Sequence, residues 1–335
     1  MRRVFTVIVF CGILFLITYT LLEKPGNLFP KTSNNNRTLL RNLFDINVQN
    51  NSIFFLDTSL KDYKHDTITI HRRASCALES AAFHHQNRSI YYVYVGNYSE
   101  AAMDTTDINL KTILNYENIQ LVYVKINDLV ENTEIEELFK KGLIQSSDYY
   151  VAHFKDAFCV ILLRKYGGVY LDGDVIILKN LDDLGENFVG KEAEEVIGTA
   201  ILAFNQSSYQ LLTTFLNDLN VEYSPTSWAG NGPYLVSRGV KKLCGTTSNF
   251  SDNNCDYLKI FSENYFFPVY YVVWRHLFEP QYAEEVLEIT KNSYMVRFWN
   301  KLSHELILDV KSNAPYVLLA KKHCPNTFFI QQESF

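Results

Sequence analysis

Residues 165–181 read Lys165-Tyr-Gly-Gly-Val-Tyr-Leu-Asp-Gly-Asp-Val-Ile-Ile-Leu-Lys-Asn-Leu181 and carry more information than any other stretch of the chain. Asp172 and Asp174 directly follow a short hydrophobic run that is typical of a buried strand. Two carboxylates at positions i and i+2 can converge on one hard cation, and oxygen ligands suit Mg²⁺ or Mn²⁺. An ordinary hairpin is the alternative, because Asp-Gly favours a two-residue turn between 169–171 and 175–178.

On both sides of this stretch, strand and helix patterns alternate. The predicted strands are 53–56, 90–95, 119–126 and 169–171, and the predicted helices are 75–84, a short one that opens with the capping box Thr133-x-x-Glu136, and one from Ser147 or Asp148 to Tyr166. This alternation predicts an α/β fold with a mostly parallel sheet covered by helices on both faces. Such sheets bind ligands at the carboxyl ends of their strands, near a topological switch point. No Gly-x-Gly-x-x-Gly or P-loop motif occurs.

The N-terminal region has the pattern of a membrane anchor. Residues 4–22 carry no charge, and about 19 such residues can cross a bilayer as a helix. A cleaved signal peptide is the alternative, although no Ala-x-Ala site follows. Because Arg2 and Arg3 precede the span, the positive-inside rule predicts a type II orientation. The chain then divides into a cytosolic tail (1–3), a signal anchor (4–22), a lumenal stem (23–52) and a folded domain (53–335). In the folded domain, the sequence after Leu184 predicts irregular aromatic loops and a final helix over 315–322.

Sequons and cysteines agree with a lumenal domain. Asn-x-Ser/Thr sequons begin at Asn36, Asn50, Asn87, Asn97, Asn205 and Asn249. Cys244 and Cys255 are close in sequence and are expected to pair in an oxidising lumen. Cys76 and Cys324 are a further candidate pair. Cys159 lies in an apolar helix and is expected to remain a buried thiol.

Length and charge narrow the class of protein. The chain has 335 residues, of which 47% are hydrophobic, and a formal net charge of −6. This hydrophobic content excludes a disordered chain. The negative net charge argues against a nucleic-acid binder, because binding to phosphates needs a positive electrostatic field. Without Arg2 and Arg3 the net charge falls to −8. A site for an anionic ligand in such a protein must therefore gather positive charge locally, through a metal or through cationic side chains.

Seven blocks of sequence, in order along the chain, are similar to one family. They are Phe54-Phe-Leu-Asp-Thr-Ser59, Ala74-Ser-Cys-Ala-Leu-Glu-Ser-Ala-Ala82, Tyr166-Gly-Gly-Val-Tyr-Leu-Asp-Gly-Asp-Val175, Trp228-Ala-Gly-Asn-Gly-Pro233, Phe267-Pro-Val-Tyr270, Phe298-Trp-Asn-Lys301 and Cys324-Pro325. They resemble the alpha-1,4-galactosyltransferase and alpha-1,4-N-acetylglucosaminyltransferase family (glycosyltransferase family 32) of Golgi type II enzymes. The resemblance implies a GT-A-like fold and a retaining transferase that uses UDP-galactose or a UDP-N-acetylhexosamine and makes an α-1,4 linkage on a glycolipid or glycan.

The resemblance also implies roles for individual residues. Asp172 and Asp174 would hold Mn²⁺ (or Mg²⁺) against the diphosphate, where negative charge develops as the bond between sugar and UDP breaks. Contacts with the donor are expected from four residues: Asp156, Asn231, Gly232 and Lys301. An ordinary Asn-Gly turn is the alternative for 231–233.

Two stretches depart from the family pattern, at Lys155 and Cys159 in the first and at Arg297 in the second. The family has Ser-Asp-x-x-Arg where this chain has Lys155-Asp156-Ala157-Phe158-Cys159. It also has His where this chain has Arg297. An arginine cannot ligate a cation, but it can neutralise diphosphate oxygens directly. We expect Arg297 to act with Asp172 and Asp174 as a catalytic residue and to leave the metal more weakly held.

These departures keep other functions open. The leading prediction is a metal-dependent glycosyltransferase of the Golgi membrane, active on the terminal sugar of a glycolipid or glycoprotein. A catalytically silent relative that binds nucleotide or glycan and supports a partner transferase is the main alternative. A secreted calcium lectin is disfavoured by the long alternation of strands and helices.

Overall fold

The structure is a computed structural model that describes residues 40–59, 68–96, 106–245, 250, 255 and 257–335. The expected tail (1–3), the expected span (4–22) and most of the expected stem (23–52) lie outside the described residues and remain predictions. Within the described part of the chain, no helix combines the length and the apolar character that crossing a bilayer requires. All described residues fall in one folded unit.

Most of the strands join a single sheet. The strands are β1 (Arg41–Asn42), β2 (Ile53–Asp57), β3 (Ile90–Val95), β4 (Ile119–Val124), β5 (Gly168–Leu171), β6 (Val175–Ile177), β7 (Phe188–Ala193), β8 (Val196–Phe204), β9 (Lys259–Phe261) and β10 (Met295–Arg297). Eight of them form a sheet in the order β1-β4-β3-β2-β5-β8-β7-β9, and β6 pairs with β10 in a small second sheet. In the large sheet β8 is antiparallel to both of its neighbours, while the other neighbouring pairs are parallel. The predicted mostly parallel sheet is confirmed.

The helices cover this sheet. They are α1 (Arg72–His84), α2 (Ile108–Ile113), α3 (Ile126–Val130), α4 (Glu136–Lys140), α5 (Tyr150–Tyr166), α6 (Tyr209–Glu222), α7 (Pro233–Cys244), α8 (Glu263–Phe266), α9 (Ala283–Thr290), α10 (Asn300–Ser303), α11 (Pro315–His323) and α12 (Pro325–Ile330). Successive side chains of a strand point to opposite faces, so Phe54 and Phe55 enter different cores. Phe55 packs with α1 and α11 on one face. Phe54 packs with α5, α6 and α7 on the other.

The strand order places a switch point between β2 and β5. From β2 the chain adds β3 and then β4 on one side, whereas β5 pairs with the other side of β2. The loops that leave the carboxyl ends of β2 and β5 therefore diverge and open a crevice between them. The run 172–174 occupies that position directly after β5.

The alternative of a hairpin at Asp172-Gly173 is wrong. Strand β5 pairs with β2 and β8, and β6 pairs with β10 in the small sheet, so β5 and β6 do not face each other. The chain thus leaves the large sheet at Asp172 and enters the small one at Val175. Because each strand finds other partners, the Asp-Gly dipeptide here serves as a crossing between two sheets.

Three further expectations need correction. The predicted capping box does not form, because Ile135 is the N-cap of α4 and Thr133 Oγ1 donates to the Val130 carbonyl oxygen at 2.6 Å. The part after Leu184 is not irregular, since it contains the antiparallel pair β7 and β8 followed by α6 and α7. The sheet also begins before residue 53, because β1 pairs with β4 and Leu43 is fully buried.

Both expected disulfides are present. Cys76 in α1 is bonded to Cys324, at a sequence separation of 248, and Cys244 is bonded to Cys255. Cys159 is free and buried in α5, as expected. The first bond joins α1 to the C-terminal helices on one face of the sheet.

Substitution of Gly168 should destabilise the fold strongly. Its φ of +102° disfavours any side chain, and a Cβ atom there would lie 2.3 Å from the Ser52 carbonyl oxygen. Gly142 also has a positive φ, of +68°, but a Cβ atom there meets nothing within 4 Å. We expect Gly142→Ala to lower the free energy of unfolding by about 1 kcal/mol and Gly168→Ala by about 3 kcal/mol or more. Denaturant unfolding of both variants measures the difference, and equal losses would contradict the backbone clash.

Candidate active site

A cavity of about 490 Å³ opens at the carboxyl ends of β2 and β5. Leu56 and Thr58 line it from the end of β2, and Asp172 and Asp174 line it from the end of β5. Arg297 and three further cationic or aromatic side chains complete much of the wall: Lys155, Lys301 and Trp228. The cavity therefore lies where the strand alternation predicts a ligand site, and its wall combines carboxylates with cations.

Residues 172–174 form a turn, called the acidic turn below, and both of its carboxylates are held by fixed donors. The Tyr170 hydroxyl donates to Asp172 Oδ1 at 2.7 Å. The backbone N–H of Asn300 donates to Asp174 Oδ2 at 2.8 Å, and the N–H of Phe298 donates to the Asp174 carbonyl oxygen at 2.9 Å. Trp299, between these two donors, has a φ of +55°, a left-handed conformation that is uncommon for a bulky residue. The turn at Trp299 thus directs two neighbouring N–H groups at one aspartate.

Strand pairing brings Arg297 to the acidic turn. In the small sheet Arg297 is the register partner of Val175, the residue after Asp174. Its Nη2 atom lies 2.9 Å from Asp172 Oδ2, and its Nε atom lies 3.4 Å from Asp174 Oδ1. The Nη1 atom lies 3.2 Å from Glu192 Oε2. One guanidinium therefore bridges three carboxylates, and the predicted grouping of Asp172, Asp174 and Arg297 is observed.

Lys155 and Asp156 of α5 extend this cluster. Lys155 Nζ lies 2.8 Å from Asp156 Oδ1 and 3.3 Å from Asp172 Oδ1. The Thr199 hydroxyl of β8 donates to the same Asp156 oxygen at 3.3 Å. Asp156 is buried, is not among the described residues that line the cavity, and is connected to Asp172 through Lys155.

The charges in this cluster shift one another's pKa values. Burial alone would raise the pKa of Asp172, but Lys155 and Arg297 outweigh burial and lower it. Burial alone would lower the pKa of Lys155 and of Arg297, but the neighbouring carboxylates raise both. Burial raises the pKa of Glu192 despite the nearby Arg297. Both cations and Asp172 therefore stay charged at neutral pH.

The residues expected to contact the sugar donor differ in how close they lie to the cavity. Asn231 is only 1% exposed; its side-chain oxygen accepts from the Ser224 N–H at 3.0 Å, and its side-chain nitrogen donates to the Ser224 carbonyl at 2.7 Å. It is absent from the described residues that line the cavity. Gly232 packs against Asp156, and Lys301 lies in the cavity wall with Nζ 5.2 Å from the centre of the Trp228 ring. The structure thus brings Lys301 to the cavity and leaves Asn231 inside its loop.

Sequence reasoning left several contributors without a role. Lys155 was visible only as a departure from a motif, and Tyr170 as a strand residue. Glu192 lies in β7, in a region that was expected to be irregular, so no sequence signal pointed to it. Arg73 of α1 also lines the cavity and donates to Asn300 Oδ1 at 2.8 Å, which anchors α10.

A divalent cation fits the acidic turn when a substrate supplies further ligands. Asp174 Oδ1 is buried and has no hydrogen-bond donor among the described residues. Within the same residues, no group of three or more His, Cys, Asp or Glu side chains could hold a metal by itself. Mg²⁺ commonly takes one or two carboxylates together with substrate phosphates and water. Asp172 and Asp174 are therefore suited to a cation that arrives with a phosphorylated ligand.

A mostly parallel sheet flanked by helices, with an Asp-Gly-Asp turn in a cavity at the switch point, is the arrangement of a GT-A-like glycosyltransferase. Residues 71–189 match the glycosyltransferase sugar-binding region containing the DXD motif, and residues 204–330 match the alpha 1,4-glycosyltransferase conserved region. Two successive regions of the chain thus match models of glycosyltransferase regions, and the chain is a hexosyltransferase. The resemblance seen in the sequence is confirmed.

The chain is similar to several curated proteins that are named as glycosyltransferases. Lactosylceramide 4-alpha-galactosyltransferase of Mus musculus is 28% identical over 276 residues, which cover 82% of this chain and 75% of that protein. Human alpha-1,4-N-acetylglucosaminyltransferase is 24% identical over 328 residues, which cover 96% of this chain and 91% of that protein. Among solved structures, a glycosyltransferase of Streptococcus pneumoniae superposes with a TM-score of 0.44 at 12% identity, covering 86% of this chain and 65% of that one.

Replacement of Gly232 should disturb the ion pair between Asp156 and Lys155. A Cβ atom at Gly232 would lie 2.2 Å from Asp156 Oδ2, so Gly232→Ala must displace Asp156 and with it Lys155. At Gly142 the added carbon meets nothing within 4 Å, and this residue does not line the cavity. We expect Gly232→Ala to weaken UDP binding about tenfold and Gly142→Ala to leave it nearly unchanged. Calorimetry of both variants makes the comparison; unchanged UDP binding in Gly232→Ala would contradict a role for the Asp156 position.

Proposed function

We propose that this protein transfers galactose or an N-acetylhexosamine from a UDP-sugar to the terminal sugar of a glycolipid or glycan, in α-1,4 linkage and with retention. The observation that carries the proposal is the acidic turn, Asp172 and Asp174, set among cations at the switch point of the sheet. The names of the relatives, a lactosylceramide galactosyltransferase and an N-acetylglucosaminyltransferase, support the range of donors and acceptors.

The chemistry that the site must support is charge development on a leaving diphosphate. As the bond between sugar and phosphate breaks, negative charge grows on the UDP oxygens, and fixed positive groups stabilise it. Arg297 and Lys301 in the cavity wall supply such charges. A divalent cation bound at Asp172 and Asp174 would supply Lewis-acid stabilisation of the same oxygens.

Other residues keep these groups oriented. The Tyr170 hydroxyl and the Asn300 N–H fix the two aspartates, and Arg73 in turn fixes Asn300. Trp228 lies in the same cavity wall with 46% of its surface exposed. A flat, exposed aromatic face suits contact with the apolar C–H side of a sugar ring. The cavity thus offers one charged wall for a diphosphate and one aromatic surface for a sugar.

One observation favours a catalytically silent role as a second candidate. Both aspartates are already paired with Arg297, and Asp172 is also paired with Lys155. A protein with such a saturated acidic turn would bind nucleotide or glycan without turnover and support a partner transferase. The two candidates differ in whether UDP is released.

Release of UDP is the test that separates them. We expect UDP release from UDP-galactose or a UDP-N-acetylhexosamine with Mn²⁺ and a lactosyl or N-acetyllactosamine acceptor. Asp174→Asn should lower the rate about 100-fold or more, because it removes a carboxylate that would hold the divalent cation against the diphosphate. Asp183→Asn, an exposed carboxylate in the helical turn Leu181–Leu184, should leave the rate unchanged. No release from any common UDP-hexose by a folded sample would reject the enzymatic proposal.

The proposal includes a Golgi location, as a single-pass type II protein with the folded unit in the lumen. Support comes from the two disulfides, which form in oxidising compartments. The sequon at Asn87 adds to it, since this residue is exposed in the turn between α1 and β3. That turn lies at the amino-terminal end of β3, away from the cavity at the carboxyl ends of β2 and β5.

Glycan attachment at Asn87 checks this orientation. When the protein is expressed in eukaryotic cells, we expect digestion with an N-glycosidase to reduce its apparent mass. In Asn87→Gln this reduction should be smaller by the mass of one glycan. Asn217→Gln changes an exposed asparagine outside any sequon and should alter nothing. An unglycosylated protein recovered from the cytosol would contradict the lumenal orientation.

A further inference from the structure

Two cations share the oxygens of Asp172. Lys155 from α5 lies 3.3 Å from Oδ1, and Arg297 from β10 lies 2.9 Å from Oδ2. Each cation also reaches a second carboxylate, since Lys155 pairs with Asp156 and Arg297 pairs with Asp174. The lysine and the arginine therefore neutralise the acidic turn from within the protein.

This neutralisation is needed because the carboxylates are close together and shielded from water. Side-chain exposure is 9% for Asp172, 13% for Asp174, 17% for Lys155 and 18% for Arg297. Like charges in such a setting repel strongly, and a buried carboxylate without a partner is costly. Both cations nevertheless line the cavity, so each can be reached by a ligand inside it.

We propose that Lys155 and Arg297 are exchangeable counter-ions: they pair with the acidic turn before the donor binds and with the donor diphosphate afterwards. This inference rests on the proposed function, in which a UDP-sugar enters the cavity. A divalent cation could then take the carboxylates that the two side chains release. Lys155, which sequence reasoning left without a role, becomes a residue that positions the diphosphate.

The exchange predicts that metal and UDP each bind weakly alone and strongly together. A divalent cation that enters alone meets the positive charge of Arg297 and Lys155 beside the carboxylate oxygens of Asp172 and Asp174. A diphosphate that enters alone meets Asp172 and Asp174. When both enter, the divalent cation can pair with Asp172 and Asp174 while Lys155 and Arg297 pair with the diphosphate, and coupling between two ligands is reciprocal by thermodynamic linkage.

The binding of Mn²⁺ to the full-length protein in detergent, followed by electron paramagnetic resonance, tests the coupling. In the wild type we expect UDP to raise the affinity for Mn²⁺ by about 10- to 100-fold. In Arg297→Gln and in Lys155→Gln, Mn²⁺ alone should bind at least about tenfold more tightly than in the wild type, and the gain from UDP should shrink. Arg238→Gln removes an exposed arginine that pairs with Asp218 between α6 and α7, and it should match the wild type.

Thermal unfolding separates counter-ion exchange from a purely structural role. With a chelator, Arg297→Gln should melt at a lower temperature than the wild type, because Asp172 and Asp174 lose their partner. Addition of Mn²⁺ should raise the melting temperature more in Arg297→Gln than in Arg238→Gln. Wild-type affinity for Mn²⁺ that is unchanged by UDP, or variants that bind Mn²⁺ alone no more tightly, would overturn the inference. Absence of UDP binding under any condition would also reject the proposed function. The affinity of each variant for Mn²⁺ alone is measured without UDP, so this result tests the pairing of the two cations with the acidic turn by itself. If one glutamine variant fails to fold, the other variant and the wild-type coupling still decide.

Discussion

The antiparallel pairing of β6 with β10 is the constraint on which the site depends. It fixes Arg297 beside Val175 and thereby beside an acidic turn 123 residues earlier in the chain. Because backbone hydrogen bonds set this register, a slip by one residue would turn the guanidinium to the other face of the strand. Asp174 is then secured by the N–H groups that follow β10. The small sheet thus places Arg297 in the cavity wall, while its other five residues are buried in the core.

The acidic turn also joins two sheets. Asp172 belongs to the end of the large sheet, where its N–H donates to the Ala200 carbonyl oxygen at 2.9 Å, whereas Asp174 is held by the segment after the small sheet. Any displacement between the two sheets would change the separation of the carboxylates. The disulfide between Cys76 and Cys324, together with the shared core of α1 and α11, opposes such a displacement. Packing far from the cavity therefore preserves the geometry of the ligand site.

Local patterns in the sequence were sufficient for much of the fold. Strand β3 was predicted with its observed bounds, and α5 ends at Tyr166 because Gly167 adopts a φ of +67°. The pair β7 and β8 was missed because its register contains bulges and because its partners, β9 and β5, lie far away in sequence. Thr133 failed as a cap because its hydroxyl found the Val130 carbonyl oxygen instead.

The site was predictable in part. The spacing of Asp172 and Asp174 after a strand indicated a cation site, and Arg297 was grouped with them through the family resemblance; the structure brings the three together. Asn231 could not be placed from sequence, since whether an asparagine faces a ligand or its own loop depends on Ser224, seven residues away. The role of Lys155 depends on how α5 packs against β5 and β8, which no local pattern encodes.

The wide sequence separation of these parts has a consequence for synthesis. Asp172 leaves the ribosome long before Arg297 and Asn300, and Cys76 must wait 248 residues for Cys324. Until then the acidic turn of a nascent chain lacks its arginine, its N–H donors and the covalent tie of α1. A partly synthesised chain therefore has no complete pocket, because Arg297 and the N–H donor of Asn300 must be made before the acidic turn acquires its partners.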